Sequence, residues 1–144
     1  MDNITINLLV VDDEEEFLDS ITRSLSVRNF KVVAVNRGEK AIEAVKAHDV
    51  DVALVDLKMP GINGEETLAA LKKEKEGLEV IILTGHGTID SAIECTRIGA
   101  FAFLQKPCEL KELLDTLHRA YEKKQKNIEA INEQRIKGIL KSKA

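Results

Sequence analysis

The sequence has no tryptophan, two prolines, two cysteines and only 3% aromatic residues among its 144 positions. So few rings argue against a flavin pocket and against single-strand nucleic-acid binding, both of which use aromatic walls. Cys95 and Cys108 are too few for a disulfide framework, and their spacing does not suit a zinc site. They are expected to be free thiols in a reducing cytoplasm. The longest apolar runs resemble LLVV and VIIL, far short of the roughly 18–20 residues a membrane span needs. The opening MDNITIN has neither a basic stretch nor an apolar one, so no secretory signal is expected. A Walker A glycine loop and a GxGxxG turn are both missing, which counts against nucleotide binding.

What is present is an ordinary globular composition, 44% hydrophobic and 32% charged. At about 150 residues per domain, it predicts one domain with a sizeable core. The net charge of -4 conceals an asymmetry. Residues 1–112 hold 13 Lys and Arg against 21 Asp and Glu, whereas residues 113–144 hold 8 against 4. An acidic body therefore carries a basic C-terminal segment, either a solvated helix face or a contact for an acidic partner.

Short apolar runs at 7–11, 31–35, 52–55, 80–83 and 101–104 are rich in Val, Ile, Leu or Phe. Each fits a strand buried on both faces. Between them lie helical spacings: Phe17, Leu18, Ile21 and Leu25; Ala41, Ile42 and Val45; Leu68, Leu71 and the stem of Lys72; Ile89, Ala92, Ile93 and Thr96. A last helix is expected from near Glu109, with Leu110, Leu113, Leu114 and Leu117 inward. Five βα units imply an α/β fold, a doubly wound parallel sheet with helices on both faces. Right-handed crossovers leave few topologies, among them the flavodoxin-like strand order 2-1-3-4-5.

Ligands of such sheets bind beyond the carboxyl ends of the strands. The residues there are Asp12-Asp13-Glu14, Asn36-Arg37, Asp56 with Lys58 close behind, Thr84-Gly85-His86-Gly87, and Gln105-Lys106-Pro107. Each has a bland alternative. Asp12 and Asp13 suit a helix start, Thr84 suits a turn, and Lys106 suits the surface. Asp56, at the end of VALVD, is a poor place for an unpaired charge. Three carboxylates, a hydroxyl and a lysine on one edge form a set that chance explains badly. Clustered carboxylates call for a hard divalent cation such as Mg2+. A carboxylate beside a cation can act as nucleophile toward a phosphoryl group, whose oxygens then need positive charge and donors.

DNITINLLVVDDEEEF, VALVDLKMPGINGEE, VIILTGHGTIDSAIE and GAFAFLQKPCELKEL together resemble the receiver domain of two-component response regulators. The resemblance covers roughly residues 5–121, and the LTGHG and KP stretches look most like receivers of enhancer-binding transcriptional activators. It implies a flavodoxin-like (βα)5 fold. It also implies a phosphorylation-activated signalling switch that takes a phosphoryl group from a sensor histidine kinase or a phosphotransfer protein. Asp56 matches the phosphoacceptor; Asp12 and Asp13 match the acidic pair that holds Mg2+, with the backbone carbonyl of Lys58 as a further ligand. Thr84 and Phe103 match the switch pair, and Lys106 the phosphoryl-binding lysine, with Lys106-Pro107 expected cis. Such a protein is not an enzyme beyond its own phosphotransfer and slow dephosphorylation. It is cytoplasmic, with no membrane segment and no direct nucleic-acid binding by the receiver. Lys58 and His86 either line the rim or modulate hydrolysis of the aspartyl phosphate.

Two other readings differ in class. A metal-dependent phosphatase with an aspartyl nucleophile would want an acid two residues on, where Lys58 stands. A flavin carrier would want the missing aromatics. The expected division is a receiver over 1–121 and a helical extension or linker over 122–144. The packed half of the last helix should end near Tyr121. Beyond it, Ile128, Ile131, Ile136, Ile139 and Leu140 form an irregular apolar face, which suits either a solitary helix or a homodimer. The output, whether a further domain or a partner protein, is not identified by these residues.

Overall fold

Alternation of side chains along each strand sends one apolar set to each face of the sheet, and two helical layers cover them. The computed structural model describes residues 4–142; the outermost residues of the two expected segments, 1–3 and 143–144, lie outside the described residues. The strands are β1 (Ile6–Val11), β2 (Phe30–Val35), β3 (Val52–Val55), β4 (Glu79–Thr84) and β5 (Ala102–Gln105). All pair in parallel in the order β2-β1-β3-β4-β5, the expected order. Between and after them come α1 (Glu15–Ser26), α2 (Gly38–Ala47), α3 (Gly64–Glu74), α4 (Ile89–Ile98) and α5 (Leu110–Ser142).

On one face Leu8, Val10, Leu54, Ile81 and Leu83 meet Leu18, Ile21 and Leu25 of α1 and Leu113, Leu117 and Ala120 of α5. On the other Leu9, Val11, Ala53, Val55, Val80 and Ile82 meet α2, Leu68 and Leu71 of α3, and Cys95 of α4. Reciprocal side-chain bonds cap two helix starts, Asn63 with Glu66 on α3 and Thr88 with Ser91 on α4. Gly99 closes α4 at φ +119°, a conformation glycine adopts without a Cβ penalty. The Lys106-Pro107 peptide is cis.

Two expectations need correction. Ile89 and Ile93 do not face inward; they are 81% and 56% exposed. The inward residue of α4 is Cys95, whose neighbours on that stripe are the half-buried Ala92 and Ile98. Burial pushes the Cys95 thiol up to about 11, aided by the charges of Glu65 and Glu94, which keeps it inert at neutral pH.

The second correction concerns α5, about 50 Å long at 1.5 Å per residue. It stays on the body past Tyr121. Asp51 and Glu79, 8% and 5% exposed, begin the amino edges of β3 and β4. Asp51 accepts the Asn7 N–H at 2.8 Å and the Lys124 ammonium at 2.7 Å. Glu79 accepts the Asn127 amide at 2.6 Å, with Lys123 at 3.5 Å and Lys72 at 3.8 Å. The same amide donates to the Gly77 carbonyl at 3.2 Å. The Ile128 side chain lies against Gly77, which sits at φ +90°. Buried carboxylates demand partners, and the extension supplies them.

Lys124→Ala should therefore destabilise the chain by about 1–3 kcal/mol, the cost of leaving Asp51 short of a donor. Lys126→Ala, on an exposed part of the same helix, should stay within about 0.5 kcal/mol. Urea unfolding measures both; equal effects would mean that α5 is not held at this edge.

Candidate functional site

The backbone ladder continues one residue past two strands. The Asp12 N–H donates to the Val35 carbonyl at 3.1 Å, and the Asp56 N–H to the Val11 carbonyl at 2.9 Å. This places the two aspartates side by side at the carboxyl edge, 1% and 2% exposed. Asp13 is exposed beside them. One ligand oxygen from each of the three lies within 4.8 Å of the others. From the β5 side the Lys106 N–H donates to the Thr84 carbonyl at 2.9 Å, and the lysine side chain reaches in. Its ammonium is 2.6 Å from Asp12 Oδ2, 3.4 Å from Glu14 Oε1 and 3.9 Å from Asp56 Oδ2.

Smaller bonds set the orientation. Asp12 Oδ1 accepts the Glu14 N–H at 2.9 Å, which fixes the entry into α1. Asp56 Oδ1 accepts the Leu57 N–H at 2.8 Å. Thr84, fully buried, accepts the His86 N–H on its hydroxyl at 3.1 Å. The half-buried Phe103 ring rests against Gly87, where a Cβ would come within 2.8 Å of it. Lys58 and His86 are both exposed. With Asp13, Glu14 and Met59 they line an open cavity of about 420 Å³.

The structure thus gathers Asp12, Asp13, Asp56 and Lys106 into direct proximity and sets Thr84 at the end of the adjoining strand. Phe103 stands away from the carboxylates, behind the β4–α4 loop. One neighbour, Phe17, escaped the sequence analysis as a site residue, and Glu14, named there in the Asp12-Asp13-Glu14 run, was given no role. Phe17 was assigned to the core on its helical spacing, yet its ring centroid lies 4.0 Å from the Lys106 ammonium. Its helical spacing reports a face of α1 and carried no sign of this neighbour.

The electrostatics follow from burial. Burial raises the pKa of Asp12, and the Asp56 charge adds to the rise, against the lowering by the Lys106 and Glu14 N–H bonds. For Lys106, burial works against the charge, but the Asp12 bond and the charges of Asp12, Asp56 and Glu14 outweigh it. Its pKa lies above the ordinary lysine value, so it remains a cation throughout neutral pH. The arrangement can hold a hard cation and present one cationic and one hydroxyl donor to an anionic group above Asp56.

The sequence profile of the response regulator receiver domain matches residues 8–118. The transcriptional regulatory protein GlrR of Escherichia coli K12 is 33% identical over 116 residues, covering 81% of this chain and 26% of that protein. The chain thus spans about a quarter of that relative's length. A CheY-like receiver domain protein of Methanospirillum hungatei JF-1 superposes with a TM-score of 0.81 at 24% identity, covering 85% of this chain and 98% of the other. A response regulator of Burkholderia pseudomallei, solved with a phosphorylated aspartic acid, a calcium ion and citrate, gives 0.75 at 27% identity, covering 88% and 74%.

The raised pKa of Asp12 makes a pH prediction. Between the ordinary aspartate range and the higher folded value, the folded chain binds more protons than the unfolded one, so stability falls as pH rises. In buffer free of divalent cations, urea midpoints of the wild type should decline from about pH 4 upward relative to Asp12→Asn. Parallel curves would contradict the assignment.

Proposed function

The chain belongs to the response regulator receiver domain family, and on that premise we propose that it is a phosphorylation-activated switch with Asp56 as the phosphoacceptor. The observation that carries this reading is the convergence of Asp12, Asp56, Thr84 and Lys106 from the ends of four strands. The donor is a sensor histidine kinase or a phosphotransfer protein. Asp56 Oδ1 is engaged by the Leu57 N–H, which leaves Oδ2 to attack. Its lone pair forms the O–P bond while the phosphohistidine N–P bond breaks and its electron pair leaves with the imidazole.

The carboxylates of Asp12, Asp13 and Asp56 fit Mg2+: they are hard oxygen donors close enough to share one ion, and their mutual repulsion favours a cation. The Lys58 backbone carbonyl would be a further ligand. Bound Mg2+ supplies positive charge to the transferring phosphoryl oxygens. The Lys106 ammonium and Thr84 hydroxyl take the other oxygens. When Thr84 turns toward the phosphoryl group it gives up the His86 N–H, the β4–α4 loop follows, and Phe103 moves with it. Charge-assisted bonds of about 1.5–3 kcal/mol each suffice to shift such an equilibrium if they form in one state only.

The protein catalyses its own phosphotransfer and slow dephosphorylation and no further reaction. It works in the cytoplasm in a two-component phosphorelay; no helix among the described residues is long and apolar enough to cross a membrane. Its output passes to a further domain or a partner protein, with residues 122–144 as the connecting helix and no nucleic-acid contact by residues 1–121. A homodimer is part of this reading, supported by exposed Ile89 and Ile93 on α4 and Ile136, Ile139 and Leu140 on α5.

A small phosphodonor with Mg2+ should label the wild type with one hydroxylamine-sensitive phosphate, and Asp56→Asn should take none. Thr84→Ala should be labelled yet lose the NMR shift changes around Phe103. Undiminished labelling of Asp56→Asn would overturn the acceptor assignment.

A further inference from the structure

We propose that Phe17 is a positioning residue for phosphoryl transfer, acting through a cation–π contact that holds the Lys106 ammonium within reach of Asp56. The inference rests on the assignment of Asp56 as the acceptor. The ammonium lies 4.0 Å from the Phe17 ring centroid, and the lysine side chain is only 15% exposed. Three carboxylates pull on it unequally. Asp12 is nearest at 2.6 Å, Glu14 stands at 3.4 Å, and the proposed acceptor is the most distant at 3.9 Å.

A lysine stem has four rotatable bonds and no planar fork to orient it. Hydrogen bonds to Asp12 and Glu14 alone would let it swing outward with Glu14, which is 61% exposed. The ring closes that route. Its face carries partial negative charge, so it attracts the ammonium and excludes water from it. An aliphatic side chain of similar size would exclude the water without adding that attraction.

Backbone geometry fixes the ring independently of the lysine. Phe17 stands in the first turn of α1 and packs against the core layer beneath α1 and α5. The entry to α1 is in turn tied to the site by the bond from the Glu14 N–H to Asp12 Oδ1. One short segment thus supplies the carboxylate that engages Lys106 and the ring that confines it. The attraction extends to about 6 Å from the ring centroid, so an ammonium at 4.0 Å can shift from Asp12 toward a phosphoryl group on Asp56 without losing the contact.

The test uses the full chain and two readouts. In cation-free buffer without phosphodonor, NMR should show the Lys106 ε-methylene protons shifted upfield by the ring. That shift should vanish in Phe17→Leu and persist in Phe17→Tyr. With Mg2+ and acetyl phosphate, Phe17→Leu should be phosphorylated about tenfold more slowly, and Phe17→Tyr should restore the rate to within about twofold. Replacing the Phe17 ring with singly, doubly and triply fluorinated phenylalanine keeps its shape and drains its face of negative charge, so the rate should fall stepwise. A flat fluorination series with phosphate still mapped to Asp56 would overturn the positioning role and leave the acceptor assignment standing. Phosphate mapped elsewhere would overturn the acceptor assignment and with it the role of Phe17 in transfer. An absent upfield shift in the wild type would overturn the contact itself.

Discussion

The ammonium of Lys106 is the charge on which the carboxyl edge depends. Asp12 and Asp56 sit side by side at 1% and 2% exposure, an arrangement of like charges that the interior does not tolerate without a counter-ion. No residue of β1 or β3 supplies one. The cation comes from beyond β5, three strands from β1 in the sheet, a lateral separation of about 14 Å at the usual strand spacing. A long side chain is needed to close that gap, and the Lys106 ammonium reaches Asp12 at 2.6 Å. Mutual attraction then holds the lysine charged despite its burial, while burial and the neighbouring Asp56 charge raise the pKa of Asp12.

The parallel sheet makes this meeting possible and also limits it. All five strands deliver their carboxyl ends to one edge, so residues far apart in the chain become neighbours without any bend in the strands. The opposite edge carries its own buried acids, Asp51 and Glu79, and these are answered by Lys124, Asn127, Lys123 and Lys72. β4 spans both edges, with Thr84 at one end, Glu79 at the other and every residue buried. The hydroxyl beside the candidate site and the anchor of the long helix therefore belong to one rigid segment.

Much of the fold was legible because a strand buried on both faces leaves a plain mark. The run VALV has no other comfortable home, and β3 spans those four residues. Asp56 was legible for the same reason, as a charge abutting such a run. α4 was not. Two of its three isoleucines, Ile89 and Ile93, suggested the packed face, but a ten-residue helix can be buried chiefly through small side chains, and Cys95 serves here with half-buried Ala92 beside Ile98. Side-chain size misleads where a short helix packs closely. The attachment of α5 at Asp51 and Glu79 was illegible because an ion pair across 73 residues and an amide hydrogen bond across 48 leave no local pattern. Phe17 was visible as a core residue but not as a neighbour of Lys106, since its spacing reports the helix face and not what approaches the ring from β5.

The most direct measurement is the structure of the chain with Mg2+ and beryllium fluoride, a mimic of the phosphoryl group. A beryllofluoride should be joined to Asp56 Oδ2, Asp12 and Asp13 would hold the Mg2+, and the Lys106 ammonium should have moved off Asp12 onto a fluorine while still over the Phe17 ring. A saturating titration that leaves Asp56 free, or a bound group with Lys106 still on Asp12, would contradict it.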